Sequence, residues 1–392
     1  MKLLILCGQL YPTESNNTKL LSKLLPFLQN GNELRLVASY RAGKTQINPP
    51  SSYCGIPVSW VSPDSGSAPG RLLYSAYSKL ADKNGHSDAI LTHQYRRVIR
   101  ALRRTWRFSA LLSVTEPFPA AAAGALRARG VKKAIYFMDP PPSVRGLPDT
   151  PYRSRCFRKI LKRYDGIAST PFFRAALSEH GFGAFAGKTL ALGFPMVTAE
   201  ALRQPGPKEP GQISLLFTGW MCSDIRSPKY FLDIVSRLDE RFVVTFMGRE
   251  CGRLQKRFPT QTRAKLITLP QQPYETALQA MADADILINI GNSVSVHMPS
   301  KTLEYINTGK PIVNFYKMDD CPTLYYTKRY PLCLNLPEND PDLDGAAAHF
   351  IDFCLSSRGK TLGRQFIEAE YADCTPEFIA NRLLEALNAP EI

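Results

Sequence analysis

The sequence predicts an α/β protein of two domains, each built on a parallel sheet, that face each other across a cleft. Three observations support this prediction. The chain has 392 residues, which is too long for one ordinary hydrophobic core. Strand-like and helical patterns alternate along both halves, as in parallel sheets covered by helices. The segment 203–212, rich in proline and glycine and without apolar residues, separates the halves.

Short apolar runs predict the strands of the first half. The runs are 2–7, 33–39, 57–61, 110–114, 134–138 and 166–169. Helical patterns are found at 17–28, 94–107, 120–129 and 152–164. The segment 41–70, rich in proline, serine and glycine, is expected to be a long irregular connection.

The same alternation continues in the second half. Strands are predicted at 213–217, 242–246, 265–269, 285–290, 312–315 and 332–336, and helices at 229–238 and 274–282. The tail at 342–387 is expected to form two or three helices. We therefore expect a first domain at 1–205, a second at 206–365, and a C-terminal helix within 366–392 that could pack back on the first domain.

Composition indicates a reducing compartment. No apolar run approaches the roughly 20 residues needed to cross a bilayer, and the run at 3–7 is too short for the core of a signal peptide. The nine cysteines form no Cys-x-x-Cys pair and no cluster with histidine. This scatter argues against a disulfide framework or structural zinc and predicts a cytoplasmic protein.

Positive charge is concentrated in the first half. Residues 1–205 contain 29 Lys+Arg and 11 Asp+Glu, a balance of +18, whereas the remainder has 20 and 23, a balance of −3. The stretches 94–107 and 152–164 hold six cations each, and the first places Val98, Ile99, Leu102 and Trp106 on one helical side. Such basic amphipathic helices are typical of anionic membrane surfaces. Alternatively, the apolar sides pack on the sheet and the cations are simply solvated.

The stretch 297–311 predicts a loop and a short helix between two buried strands. Ser300 is at the N-cap position, and Gly309 followed by Pro311 ends the helix. Backbone N–H groups at the start of such a helix suit a diphosphate, and Glu304 could accept two ribose hydroxyls. The alternative is a capped surface helix with a solvated glutamate.

Other candidates follow the predicted strands, where ligands of open α/β sheets bind. Glu116 and Asp139 follow two strands of the first half, and the Asp139 carboxylate could bind a sugar hydroxyl or the acceptor. Alternatively, Glu116 is an acid at the start of a helix beside Pro117, and Asp139 caps a turn. In the second half, Gly219 permits close backbone approach and Arg226 offers a forked phosphate donor. Gly-x-Gly-x-x-Gly is absent after the first strand, and the histidines show no metal-binding spacing, so neither a dinucleotide cofactor nor a metal is expected.

The second half resembles the donor domain of GT-B glycosyltransferases, in particular the large retaining family that uses nucleotide-sugars without a metal. The motif is Pro299-Ser300-Lys301-x-x-Glu304-Tyr305-x-x-x-Gly309-Lys310-Pro311, supported by Thr218-Gly219 and Arg226. The resemblance covers 213–336 and implies two Rossmann-like domains. It implies that Glu304 holds the donor ribose, that Gly219, Pro299, Ser300 and Lys301 bind the donor, and that Arg226 neutralises its diphosphate.

Asp139 stands where that family often ends a strand with a His-Asp pair, which would make Asp139, Arg226 and Glu304 the catalytic residues. Here Met138 replaces the histidine. A second family glutamate, eight residues before the ribose-binding one, is Val296 in this chain. These departures leave the stereochemical outcome open.

The sequence therefore predicts a metal-independent glycosyltransferase of the hexosyltransferase type, moving a sugar from a nucleotide diphosphate sugar to a lipid-linked or polysaccharide acceptor. It would need no cofactor and would lie at the inner face of an anionic membrane. Three alternatives remain: a nucleotide-sugar 2-epimerase, a non-catalytic nucleotide-sugar-binding protein of this fold, and a basic nucleic-acid-binding protein. No nucleic-acid-reading motif accompanies the basic residues, so nucleic acid is not an expected partner.

Overall fold

The computed structural model describes residues 1–11, 16–40, 49–62, 72–73, 76–77, 89–114, 118–138, 151–179, 181–198, 203–206, 209–221 and 225–388. The candidates Glu116 and Asp139 lie outside the described residues. The chain divides into two compact units, Met1–Pro195 with Asp373–Ile392, and Met196–Ala372. The boundaries expected from the sequence were at 205 and 365.

The first unit contains a parallel sheet with helices between its strands. Its strands are β1 Lys2–Tyr11, β2 Glu33–Tyr40, β3 Ser52–Tyr53, β4 Ile56–Val61, β5 Ala110–Val114, β6 Lys132–Phe137, β7 Gly166–Ser169 and β8 Thr189–Ala191. Its helices are α1 Asn16–Gln29, α2 Ala89–Thr105, α3 Phe118–Gly124, α4 Pro151–Leu161 and α5 Pro171–Glu179. In the described residues the strand order is β3-β4-β2-β1-β5-β6-β7-β8, and every pairing is parallel except β3 with β4.

The basic helices use their apolar sides for the core of this unit. In α2, Ile99, Leu102 and the following Trp106 are buried, while Val98 is half-buried. Phe157 in α4 is fully buried as well. The apolar stripes therefore pack inside the protein, and burial leaves these side chains unavailable for insertion into lipid.

Helix α3 is shorter than the predicted helix at 120–129 and ends at Gly124. A Cβ at Gly124 would lie within 2.6 Å of the Ser113 hydroxyl oxygen and closer still to that of Tyr164. These two hydroxyls form a buried hydrogen bond of 2.6 Å. The end of this helix therefore packs against a polar pair that its own sequence does not reveal.

The second unit contains a fully parallel sheet. Its strands are β9 Ile213–Thr218, β10 Phe242–Met247, β11 Lys265–Leu269, β12 Ile286–Ile290, β13 Ile312–Tyr316 and β14 Cys333–Pro337. Its helices are α6 Lys229–Val235, α7 Leu254–Arg257, α8 Tyr274–Asp283, α9 Lys301–Asn307, α10 Pro322–Thr327, α11 Leu343–Ser357 and α12 Arg364–Glu370. The last helix of the described chain, α13 Pro376–Asn388, belongs to the first unit.

The sheet of the second unit has the strand order β11-β10-β9-β12-β13-β14. The order reverses between β9 and β12, and in such sheets the ligand-binding crevice opens at the carboxyl ends of the strands at this point. The predicted α/β fold with two parallel-sheet units is confirmed. All six strands predicted for this half are present, with bounds that shift by one residue at most.

A row of asparagines crosses three strands of this sheet; Asn289 and Asn314 are buried and Asn335 is half-buried. Asn289, Asn314 and Asn335 are register partners on β12, β13 and β14. The Asn289 amide donates to Asn314 Oδ1 over 2.6 Å, and the Asn314 amide donates to Asn335 Oδ1 over 2.8 Å. Thr302 of α9 donates to Asn289 Oδ1 over 3.2 Å. This asparagine ladder therefore attaches α9 to the sheet through polar side chains.

Candidate functional site

The loops after β9 and β12 are joined at the point where the strand order reverses. Ser293 N–H donates to the Ile225 carbonyl over 2.8 Å. The Asn292 side chain, which is 1% exposed, donates through its amide to the His297 carbonyl over 2.7 Å. Because the two loops hold each other, the side chains that they carry have defined positions relative to the sheet.

Arg226 bridges these two loops. Its guanidinium donates from Nη1 to the Trp220 carbonyl over 3.0 Å and from Nη2 to Asn292 Oδ1 over 2.8 Å. Lys229, the first residue of α6, instead donates to Asp233 of the same helix over 2.8 Å. The structure thus places Arg226, but not Lys229, where β9 and β12 end.

Gly219 brings the predicted cations together. Its backbone has φ +146°, which favours glycine, and a Cβ there would lie 3.8 Å from Lys301 Cγ and 3.9 Å from Arg226 Nη1. Gly248, at the end of β10, has φ +142°, and its Cβ would collide with the Gly219 carbonyl oxygen at 2.0 Å. A side chain at Gly248 would therefore separate the loops, and one at Gly219 would be strained by its backbone conformation.

Helix α9 is fixed to the end of β9 by Tyr305. The Tyr305 hydroxyl accepts the Thr218 N–H over 2.7 Å and lies 3.2 Å from the Thr218 carbonyl oxygen. Burial raises the pKa of Tyr305 to about 12, so this hydroxyl stays protonated at physiological pH. Because the hydrogen bond between Tyr305 and Thr218 holds α9 at the end of β9, it also determines which positions the neighbouring Glu304 side chain can reach.

Glu304 and Lys301 form an ion pair within α9, with side chains that are 14% and 25% exposed. The Lys301 ammonium has three donors, so it can hold this carboxylate and still donate elsewhere. The N-cap expectation for Ser300 is only partly met. Ser300 is the residue before the helix, but its backbone is already helical and its side chain makes no capping hydrogen bond.

The backbone N–H groups at the start of α9 fall into two sets. Thr302 N–H donates to the Pro299 carbonyl, and the N–H groups of Leu303 and Glu304 donate to the Ser300 carbonyl. In the part of the chain that the structure describes, the N–H groups of Ser300 and Lys301 donate to no backbone carbonyl. These two groups are therefore the ones available to an anion.

The two departures from the family motif are buried side chains. Val296 is 5% exposed and Met138 is 1% exposed. Each fills core volume at a position where the family that the motif resembles has a polar residue. His297 is half-buried in the loop before α9, and its N–H donates to the Val294 carbonyl over 3.4 Å.

Sequence reasoning missed a buried carboxylate near Arg226. Glu338 follows β14, its side chain is 9% exposed, and its Oε2 lies 3.8 Å from Lys317 Nζ. Burial raises the pKa of Glu338 to about 7, opposed by the charges of Lys317 and Arg226. A signal was present in the sequence, since Glu338 comes two residues after the strand predicted at 332–336, a position similar to that of Asp139. Within the described ranges, no cluster of His, Cys, Asp and Glu is arranged to hold a metal.

Comparisons with known proteins identify the fold. No protein-family model matches the chain, and neither does any curated protein. A solved lipopolysaccharide outer core galactosyltransferase, WaaB, is similar over 98% of this chain and 99% of its own, with a TM-score of 0.60 and 11% identity. Sucrose-phosphate synthase from Thermosynechococcus elongatus is similar over 98% of each chain, with a TM-score of 0.69 and 13% identity.

The fold is also shared with an enzyme of another class. The UDP-GlcNAc 2-epimerase from Methanocaldococcus jannaschii covers 98% of this chain and 99% of its own, with a TM-score of 0.58 and 12% identity. The two parallel-sheet units, the strand order of the second and these likenesses along nearly the full chain agree. The chain has the GT-B fold of glycosyltransferases.

Proposed function

We propose that this protein is a glycosyltransferase that moves a sugar from a nucleotide diphosphate sugar to a lipid-linked or polysaccharide acceptor. The observation that carries the proposal is the meeting of Arg226 and Lys301 at Gly219, with Glu304 one helical turn from Lys301. Two cations and a neighbouring carboxylate match the diphosphate and ribose of such a donor. The site lies where open α/β sheets bind ligands.

Each residue would have a distinct role toward the donor. The fork of Arg226 and the ammonium of Lys301 would bind diphosphate oxygens, together with the N–H groups of Ser300 and Lys301. Glu304 would accept hydrogen bonds from the ribose hydroxyls. Gly219 would leave room for the phosphates beside the backbone, and Pro299 would shape the loop that precedes the helix.

Catalysis in this proposal is mainly electrostatic. Negative charge develops on the departing nucleoside diphosphate, and donors already in place stabilise it without reorganising. Arg226 is well suited because Asn292 and the Trp220 carbonyl hold its guanidinium before the reaction begins. The cations can supply this stabilisation themselves, so we propose that no metal is required. Asp139, outside the described residues, is retained as the proposed acceptor-side carboxylate.

The proposed acceptor and the proposed cellular location both rest on the positive charge of the first half. The first half carries a balance of +18, and its cations Arg97, Arg100, Arg104 and Arg107 are exposed. Such a surface attracts anionic lipid headgroups, at about 1 kcal/mol for each cation near the surface. We therefore propose a cytoplasmic enzyme peripheral to the inner face of the membrane, where a lipid-linked acceptor would be found. No helix in the described residues is long and apolar enough to span a bilayer.

The test is a screen of nucleotide-sugars by thermal shift, followed by product analysis with and without a lipid-linked acceptor extract and with EDTA. The proposal expects stabilisation by one donor class and acceptor-dependent, EDTA-resistant transfer. Conversion of the nucleotide-sugar to its epimer without acceptor would instead identify an epimerase. Donor binding without turnover would support the non-catalytic alternative, and salt-sensitive binding to duplex DNA alone would favour the nucleic-acid alternative.

A further inference from the structure

An exposed aromatic side chain stands beside the proposed diphosphate site. Trp220 directly follows Gly219 at the end of β9, and Arg249 directly follows Gly248 at the end of β10. The guanidinium carbon of Arg249 lies 4.6 Å from the centre of the Trp220 ring, a cation–π stack. The Trp220 side chain is nevertheless 47% exposed, although most large apolar side chains of this unit are buried.

The backbone holds this stack in place. A Cβ at Gly248 would collide with the Gly219 carbonyl oxygen, so the two backbones pass too closely for a side chain at Gly248, and Met221 N–H donates to the Arg249 carbonyl over 3.0 Å. Cys251 N–H donates to the Gly248 carbonyl over 3.1 Å, which closes a tight turn after Arg249. Glu250 within that turn has φ +68°, a left-handed conformation uncommon for a residue with a side chain. A defined backbone presents the stack, rather than a freely moving loop.

The stack is linked to the proposed donor site through Arg226. The Trp220 carbonyl accepts the Nη1 hydrogen bond of Arg226, so the residue carrying the indole also orients the cation assigned to the diphosphate. In a nucleoside diphosphate, one ribose separates the base from the phosphates. The indole belongs to the residue whose carbonyl holds the diphosphate cation, so its planar surface is within reach of the base.

We propose that Trp220 and Arg249 form the stacking surface for the nucleobase of the donor. This inference rests on the proposed function and adds how the base is bound. An indole and a guanidinium plane both stack on aromatic rings. Neither group can accept the hydrogen bonds that the hydroxyl groups of a sugar donate. Stacking is tolerant of base identity because every base has a π-face. Trp220 should therefore contribute to binding of both purine and pyrimidine nucleotides.

The experiment measures dissociation constants of UDP and ADP by calorimetry on the full chain. Removal of a base-stacking aromatic weakens binding by roughly 1–3 kcal/mol, so Trp220→Ala should raise both constants about 5- to 100-fold, and Trp220→Phe should restore most of the loss. Arg249→Gln should weaken both nucleotides less. Trp60→Phe, at a tryptophan of the first unit, and Arg241→Gln, at the opposite end of β10, are matched controls that should bind like wild type.

Fluorescence provides a second readout that does not depend on the alanine variant folding. Stacking of a base on Trp220 should quench the emission of the wild type when UDP is added, and Trp220→Phe should remove this quenching while Trp60→Phe retains it. Equal quenching in wild type and Trp220→Phe would overturn the inference, as would unchanged affinity in a folded Trp220→Ala protein.

The experiments distinguish a failure of the base-stacking proposal from a failure of the proposed function. If wild type binds nucleotides and Glu304→Ala weakens binding but Trp220→Ala does not, the base surface is wrong and the donor site stands. If wild type binds neither UDP nor ADP, nor any nucleotide-sugar in the thermal screen, the proposed function is wrong and the base surface with it.

Discussion

At the scale of single residues, Glu304 is the most direct test of the donor site. A hydrogen bond to a charged group contributes roughly 1.5–3 kcal/mol, so Glu304→Ala should reduce donor affinity about 10- to 100-fold. The side chain is 14% exposed and pairs with Lys301, and the hydrogen bonds of Tyr305 to Thr218 should preserve the helix position. Calorimetry with the donor from the screen measures the loss.

A control variant separates the loss of ribose binding from the general effect of breaking an ion pair within a helix. Glu368→Gln removes a carboxylate that pairs with Arg364 over 2.7 Å within one helix of the same unit. Donor affinity should be unchanged in this variant. Unchanged affinity in a folded Glu304→Ala protein would exclude the ribose role.

Glu338 predicts a dependence of stability on pH. Its pKa in the folded protein is about 7, above the ordinary value of 4.5, so the folded state binds this proton more tightly than the unfolded state. Stability should therefore decline as the pH rises from about 4.5 to about 7, by up to about 3 kcal/mol. Above pH 7 the penalty from burying the ionised carboxylate should be constant. The measurement is urea unfolding at a series of pH values.

The variant Glu338→Gln cannot ionise and should lose this decline, so it should be more stable than wild type at pH 8. Glu240→Gln, at a side chain that is 76% exposed, is the control and should follow the wild-type curve. Parallel curves for wild type and Glu338→Gln between pH 5 and 8 would contradict the assignment.

At the scale of elements, the asparagine ladder should be essential to the second unit. Asn314→Ala would leave the buried Asn289 amide without its acceptor, whereas Asn335 Oδ1 would keep the hydrogen bond from Thr327 Oγ1 over 2.7 Å. A buried group left unsatisfied costs roughly 1–3 kcal/mol, so the free energy of unfolding should fall by about 1–3 kcal/mol. Denaturant unfolding measures it, with the exposed Ser356→Ala as control. A loss below about 1 kcal/mol would show that the ladder is replaceable.

The elements of the second unit were predictable because local sequence and environment agree there. β12 and β13 are short apolar runs, and both are buried on both faces. The first unit was less predictable where context decides the structure. β8, Thr189–Ala191, is three residues long and only partly buried, so it has no apolar run to reveal it. The close approach of Gly124, at the end of α3, to Ser113 and Tyr164 involves residues that the sequence of the helix does not contain.

The site was predictable to the extent that topology alone determines it. Residues that follow neighbouring parallel strands must converge, so the meeting of Gly219, Arg226 and Lys301 could be anticipated from the strand pattern. The pairing of Arg226 with Asn292 could not, because it depends on two loop conformations far apart in sequence. The stack of Trp220 on Arg249 was hidden for the same reason.

At the scale of the whole molecule, the charge asymmetry predicts membrane binding. Arg96 and Arg103 donate to the carbonyls of Ala122 and Arg129, so they support the fold and should be kept. The exposed cations for substitution by Gln are Arg97, Arg100, Arg104 and Arg107. At about 1 kcal/mol each, their loss should weaken binding to anionic vesicles more than about tenfold. Co-sedimentation across a salt series measures this.

The matched control removes the same number of exposed cations from the second unit. The substituted residues are Arg241, Arg253, Arg257 and Arg263. This variant should bind anionic vesicles like wild type, and donor affinity should be unchanged in the variant of the first unit. Wild type that ignores anionic vesicles at low salt would remove the support for a lipid-linked acceptor.

The return of α13 to the first unit has a consequence for synthesis on the ribosome. Ile379, Ala380 and Leu383 of this helix are buried, and a Cβ at Gly166 of β7 would lie 3.6 Å from Ala386. The earlier strands of that unit emerge first, yet their packing is completed only after the whole second unit has been translated. At about 5–20 residues per second, the nascent first unit waits on the order of ten seconds or more with apolar surface uncovered, while the second unit can already close.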